Sequence, residues 1–300
     1  MDQSKQAGPA HVIAVANQKG GVAKTTNAVN LAGAFGTLGQ RSLVIDLDMT
    51  AGATKALGAP TSGWVSTFEL LTQAVPAEDC VIDSRDQEVT LPPNIDLIPS
   101  SRKLNELETW LGQHENRWVN PLDLLTEPLA RLRPRYDFIF LDTPPQITRT
   151  SLPAFKAADF IVLSATPDSL AIEGLGDALR DIASAQKAGN PRLALLGVVL
   201  SAIPNPKTRL ARQLCRYVDK HLAAPDGTSL KFETEITRTV VLQEAQRMKK
   251  TIFEYEPDHA VAEQYRALAR EVVGRIAALG RNAFCHVGSE RIEAFGSVLN

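Results

Sequence analysis

An apolar run, HVIAVAN at 11–17, gives way to Gln18-Lys19-Gly20-Gly21-Val22-Ala23-Lys24-Thr25-Thr26 and then to the helix-forming stretch NAVNLAGAFGTL. No other feature restricts the fold as severely, because a strand must enter a glycine turn and leave it as a helix within a few residues. Glycines let the backbone turn tightly and aim N–H groups at phosphate oxygens, and the N-terminus of the following helix adds a favourable dipole. The pattern therefore predicts a phosphate-binding loop for a nucleoside triphosphate with Mg²⁺. Gly20, Gly21, Val22 and Ala23 supply the cradle, Lys24 reaches the β- and γ-phosphates, Thr25 offers its hydroxyl to Mg²⁺ and Thr26 meets the α-phosphate. The ordinary spacing G-x-x-x-x-G-K-[ST] would place glycines at 18 and 23, where this chain has Gln18 and Ala23. If position 23 requires a positive φ, its methyl group costs some affinity or rate without abolishing binding.

Further strand-like runs lie at 41–48, 95–100, 136–142, 159–165 and 193–201, most of them apolar on both faces. Helical patterns occupy 24–38, 102–111, 119–132, 169–188, 207–222 and 257–279. Such alternation predicts an α/β fold, a doubly wound and mostly parallel sheet with helices on both faces. No repeat or Pro/Gly/Ser-rich linker divides the chain, so the expected organisation is a short polar segment at 1–10, one P-loop domain over 11–280 and a tail at 281–300. Ten residues ahead of the first strand leave no room for a helix-turn-helix module that would read a specific operator. A chain of 300 residues buries a core without a disulfide or metal staple. Cys80, Cys215 and Cys285 show no CxxC spacing, and the five histidines show no metal-ligand spacing. The polar start and the absence of any apolar run near the roughly 18 residues of a membrane span argue for a cytoplasmic protein.

Acidic residues close two of the strands. LVIDLDMTAGAT places Asp46 and Asp48 two residues apart, on one side of an extended segment beside the loop, where a carboxylate can orient water. FIFLDTPP ends in Asp142, placed to hold the hydration shell of Mg²⁺, and a Pro-Pro switch segment follows.

KGGVAKTT resembles the deviant Walker A motif, KGGxxK[ST], of the ParA/MinD class of P-loop ATPases. Segments 143–175, 195–214 and 233–272 resemble consecutive ParA blocks, so the likeness runs from 11 to about 275. The resemblance implies that Lys19 reaches across an ATP-dependent homodimer to the partner's phosphates, that Asp48 positions the attacking water and that Asp46 supports the metal shell. It also implies that Asn205 contacts adenine. Met49 to Thr54 replaces the Pro-Gln-Gly-Asn-like switch loop of the class.

The 32 Lys and Arg residues nearly balance 34 Asp and Glu, a formal charge of −2, so any basic surface must be local. Between 207 and 250 ten basic residues face five acidic ones, a local charge of +5. Over 207–222, Arg209, Arg212, Arg216 and Lys220 recur at helical spacing, with Leu210, Leu214, Val218 and Leu222 as the opposing core stripe. Such a ridge is most often a solvated helix face. The resemblance to ParA shifts the expectation to non-specific double-stranded DNA, with Arg209 and Arg238 nearest the matching arginines and Arg212 and Arg216 beside them. It further implies a ParB-like adaptor that stimulates hydrolysis, and association with the nucleoid. Two other functions compete: a MinD-like regulator on membranes, which needs a basic amphipathic tail that 281–300 does not provide, and a metabolic P-loop enzyme of the dethiobiotin synthetase type.

Overall fold

The computed structural model describes residues 9–85, 88–114, 120–145, 151–224 and 227–279. The expected polar segment ahead of residue 9, the switch residues 146–150 and the tail, with Cys285 and His286, lie outside the described residues.

Six strands, β1 (His11–Ala16), β2 (Ser42–Asp46), β3 (Ile95–Ile98), β4 (Phe138–Asp142), β5 (Phe160–Ala165) and β6 (Ala194–Leu200), pair in parallel in the order β3-β2-β4-β1-β5-β6. The helices of the described residues are α1 (Lys24–Thr37), α2 (Gly52–Ala56), α3 (Thr67–Thr72), α4 (Leu107–Gln113), α5 (Thr126–Leu132), α6 (Ser151–Ala157), α7 (Ala171–Lys187), α8 (Arg209–His221), α9 (Val241–Arg247), α10 (Ile252–Tyr255) and α11 (Ala260–Leu279).

Why the strands read as apolar on both faces is now plain. Successive residues alternate between two cores: Val12 and Ala14 of β1 enter one, Ile13 and Val15 the other, and Ile139 and Leu141 part from Phe138 and Phe140 in the same way. The first core packs against α3 to α8, for example through Phe155, Leu175, Ile182 and Leu214; the second packs against α1, α2, α10 and α11 through Leu31, Phe35, Ala53, Ile252 and Leu268. Stacked rings of Phe35 and Phe138, 4.0 Å apart, join α1 to the sheet.

The helices that periodicity does not reveal, α2, α3, α6, α9 and α10, span at most seven residues, too few for an apolar stripe to repeat. Two of them carry a local signal nonetheless. Ser66 with Glu69 and Thr251 with Glu254 form capping boxes that start α3 and α10.

In α8 the expected core stripe is corrected at its first member. Leu210 is 39% exposed, and Ala211 is buried instead, together with Leu214, Cys215 and Val218. A strict four-residue spacing drifts about 40° per step around a helix of 3.6 residues per turn, so a stripe fixed on Leu214 and Val218 leaves Leu210 outside. Beyond α8 the chain returns along β6, where residues 231 and 237 bridge Val198 and Ile203. Arg275 of α11 clamps this return by donating to the carbonyls of Leu196 (2.6 Å), Leu230 (3.0 Å) and Lys231 (2.6 Å). Only glycine fits at position 197, since a side-chain carbon there would lie 2.4 Å from the backbone carbonyl oxygen of Leu230.

Candidate nucleotide site

Because all six strands are parallel, their carboxyl ends share one edge of the sheet, and the segments that follow β1, β2, β4, β5 and β6 converge there. Register places the ends of β2, β4 and β1 together: Asp46 pairs with Asp142, and Asp142 with Val15. A cleft of about 600 Å³ opens above them, lined by the entire run from Gly20 to Thr26, by Asp48, and on the far wall by Pro204, Arg238, Leu242 and Gln243. The loop bends through Gly21 (φ 75°) and Ala23 (φ 66°, ψ 24°), the latter a left-handed alanine at the N-cap of α1.

Lys24 is buried, and its Nζ donates to the Lys19 carbonyl at 2.9 Å, which folds the loop around the amine. Burial lowers its pKa, while the charges of Asp142 and Asp48 pull the other way. Thr25 Oγ1 donates to Asp142 Oδ2 at 2.8 Å. The other oxygen of that fully buried carboxylate, Oδ1, has no hydrogen-bond partner. Burial and the neighbouring Asp46 charge together raise the Asp142 pKa well above the usual carboxylate range. An unpaired buried carboxylate oxygen beside a threonine hydroxyl and further carboxylates is a donor set of hard oxygens, and it fits a divalent cation.

Asp46 is spent differently. Its Oδ2 accepts from the Thr54 backbone (2.8 Å) and hydroxyl (2.7 Å), and its Oδ1 from the Asp48 backbone (3.1 Å). It ties the start of α2 and the residues before it to the end of β2. Burial pushes its pKa up to about 6. Asp48 itself lines the cleft and accepts from the Thr50 backbone at 2.8 Å.

Lys19 stands apart from the other loop residues: it does not line the cleft, and its Nζ forms an ion pair with Asp168, which also caps the chain entering α7 through the Leu170 backbone at 2.9 Å. Both side chains are about a third exposed, 28% and 35%. Asp168 was not readable as a site residue, since it lies far from the loop in sequence and follows no motif.

Asn205 is exposed and does not line the cleft; its neighbour Pro204 does. The basic segment also divides. Arg238 forms part of the cleft wall, held there by its backbone N–H on the Ile203 carbonyl at 2.8 Å, whereas Arg209, Arg212 and Arg216 are exposed on α8. Among the described residues none of these three makes an ion pair; the carboxylates nearby are taken by Lys207, which meets Glu235 at 2.7 Å, and more loosely by Lys231.

Comparison with known proteins agrees with this geometry. The AAA domain family matches residues 10–195. The chromosome partitioning protein ParA of Caulobacter vibrioides is 32% identical over 270 residues, covering 90% of this chain and 96% of that protein. The chromosome-partitioning ATPase Soj of Thermus thermophilus is 35% identical over 264 residues, covering 88% and 96%. Among solved structures, the ATP complex of a Cyanothece McdA variant superposes with a TM-score of 0.74 at 20% identity, over 88% of this chain and 96% of that one, which speaks to the fold. Cobyrinic acid a,c-diamide synthase of Mycobacterium smegmatis, with bound ADP and magnesium, gives a TM-score of 0.71 at 27% identity over 93% and 100%. With its loop, its acidic strand ends and ParA and Soj relatives matching along nearly its whole length, this chain belongs to the ParA-type family of partition ATPases.

Proposed function

We propose that the protein is an ATP-dependent switch that dimerises with ATP and Mg²⁺ in its cleft, binds double-stranded DNA without sequence preference as a dimer, and releases it when a ParB-like adaptor stimulates hydrolysis. The observation that carries this reading is the division of labour between the two loop lysines. Lys24 lies inside the cleft and Lys19 lies outside it. A single loop needs one lysine for its own phosphates. The second is available to a neighbouring copy, and the ion pair it would surrender is partly exposed and contributes about 1 kcal/mol or less.

Thr25 and Asp142 would hold Mg²⁺, with Asp48 close by and Asp46 fixing the loop that carries it. When bound, the ion would neutralise charge developing on the transferred phosphoryl group. Gly20 to Ala23 direct their N–H groups at the phosphates, and Thr26 is placed for the first of them. Asp48 orients water in the cleft for in-line attack. Lys19 entering from the partner would complete the positive charge around the γ-phosphate, so only the triphosphate state rewards dimerisation. Exposed and without ion pairs among the described residues, Arg209 and Arg216 are available to DNA phosphates, as are the remaining donors of Arg212, whose Nη1 donates to the Lys207 carbonyl at 2.6 Å, and dimerisation doubles their number.

Light scattering on the purified protein tests the reading. Mg²⁺ with ATP should convert monomer to dimer, ADP should not, and Lys19→Ala should bind ATP yet stay monomeric. Normal dimers and turnover in Lys19→Ala would refute the assignment of Lys19. The likeness to a diamide synthase favours a second reading, an amide-forming metabolic enzyme of the same fold; ATP turnover that depends on a small carboxylic acid and ignores DNA would establish it.

A further inference from the structure

Beneath the loop runs a buried polar chain for which nucleotide binding alone gives no role. Tyr265 of α11 is fully buried, and its hydroxyl donates to Asn27 Oδ1 at 2.8 Å. The amide of Asn27, fully buried on α1, donates to Ser164 Oγ at 2.8 Å and to Ser201 Oγ at 2.9 Å. Ser164, fully buried on β5, donates through its hydroxyl to the main-chain oxygen of Val22. Its own carbonyl accepts from Asn17 Nδ2 at 2.8 Å, and Asn17 Oδ1 accepts from the Lys19 backbone at 3.0 Å. From Tyr265 through Asn27 and Ser164 to Val22 the donors all point one way, from α11 through α1 and β5 into the loop. In such a series each hydrogen bond polarises the next.

Where the series ends gives it meaning. The Val22 carbonyl belongs to the peptide plane that rotates about the N–Cα bond of Ala23, and that rotation is the φ of Ala23, here 66°. An L-residue resists this left-handed conformation because its Cβ crowds the backbone, and glycine does not. We propose that Tyr265, Asn27 and Ser164 are positioning residues that hold Ala23 left-handed, so that the loop's N–H groups stay aimed at phosphate although the glycine usual at this position is absent. Without the Ser164 hydroxyl, no hydrogen bond among the described residues fixes the Val22 carbonyl. The plane then turns, Ala23 relaxes to negative φ and the cradle opens. The inference rests on reading the loop as the phosphate cradle of a nucleotide.

A double-mutant cycle on the full chain tests it, with a fluorescent N-methylanthraniloyl ATP as probe and thermal melts alongside. Ser164→Ala should weaken binding about fivefold to thirtyfold, the range expected from the cost of a left-handed alanine. Glycine at position 23 needs no clamp, so Ser164→Ala made in the Ala23→Gly background should weaken binding less than about twofold relative to Ala23→Gly alone. Tyr265→Phe, which removes only the first donor, should have a smaller effect that Ala23→Gly also rescues. A packing defect would persist whatever occupies position 23. Equal losses with and without the Ala23→Gly substitution, or no loss in Ser164→Ala, would overturn the relay while leaving nucleotide binding intact. Failure of the unsubstituted protein to bind the probe would overturn the nucleotide reading and the relay with it. Should Ser164→Ala not fold, the Tyr265→Phe cycle decides by the same criterion.

Discussion

The phosphate loop and the arginine ridge of α8 illustrate two ways of deploying charge. In the loop, Lys24 is buried among polar groups most of which have fixed neighbours: the Lys19 carbonyl at 2.9 Å, Asp142 Oδ2 through Thr25 at 2.8 Å, and Asn27, Ser164 and Tyr265 beneath. On α8, Arg209, Arg212 and Arg216 are exposed and make no ion pairs among the described residues. The buried site recognises one ligand geometry and tolerates little change. The exposed ridge needs no geometry beyond spacing, because DNA phosphates recur along the duplex and attraction to them is released by salt.

Changes to the buried site should therefore have the larger effects. Lys24→Ala removes the buried cation that faces Asp142 and Asp48 and should abolish ATP binding in isothermal titration; retained affinity would show that the loop does not depend on a buried charge. Asp48→Ala should leave ATP binding within a few fold and lower single-turnover hydrolysis by about a hundredfold or more, since a group that orients water acts on the chemical step. Unchanged hydrolysis would transfer that role to Asp142. Reversing charge on the ridge with Arg209→Glu and Arg216→Glu should weaken DNA binding about tenfold or more for every sequence alike, while ATP-dependent dimerisation and the melting temperature stay unaltered. A loss of stability instead would mean that the arginines serve the fold.

The smallest expected effect is on stability against pH. The folded-state pKa of Asp46, about 6, lies above its ordinary value of 3.8, so the folded chain binds this proton more tightly than the unfolded one. The stabilisation is complete below pH about 4 and is lost as pH rises through about 6. Melting of the ligand-free protein between pH 4.5 and 7 should show this component, Asp46→Asn should reduce it to the part that buried Asp142 contributes, and Mg²⁺ should stabilise more at pH 7 than at pH 5. A Mg²⁺ effect equal at both values would separate the cation from the acidic cluster.

How much of this was legible in the sequence follows from how local each feature is. Lys24 and Thr25 could be placed from spacing alone, because the strand, turn and helix that set them are contiguous. The six strands were legible because both sheet faces are covered and their runs are apolar throughout. Asp168 was not, since it meets Lys19 only after the sheet brings the ends of β1 and β5 to one edge, and Thr54 was not, since no motif marks the turn that folds it back onto Asp46 eight residues earlier. Arg238 shows the converse error. Counting charge over 207–250 groups it with α8, but pairing of Thr237 with Ile203 carries it to the cleft wall. Leu210 fell outside the core stripe because four-residue spacing is not helical periodicity. Ala23 was readable as a departure, but its left-handed φ and the hydroxyl beneath it were not.

The central claim, that ATP in the buried site controls the exposed ridge, is tested most directly by DNA binding measured with ATP and with ADP over a range of salt. The account predicts tight, sequence-independent binding with ATP, far weaker binding with ADP, and for the ATP state a log–log salt slope of about −0.9 per neutralised phosphate that reflects two copies of the ridge. Equal affinity and equal slope with the two nucleotides would contradict it.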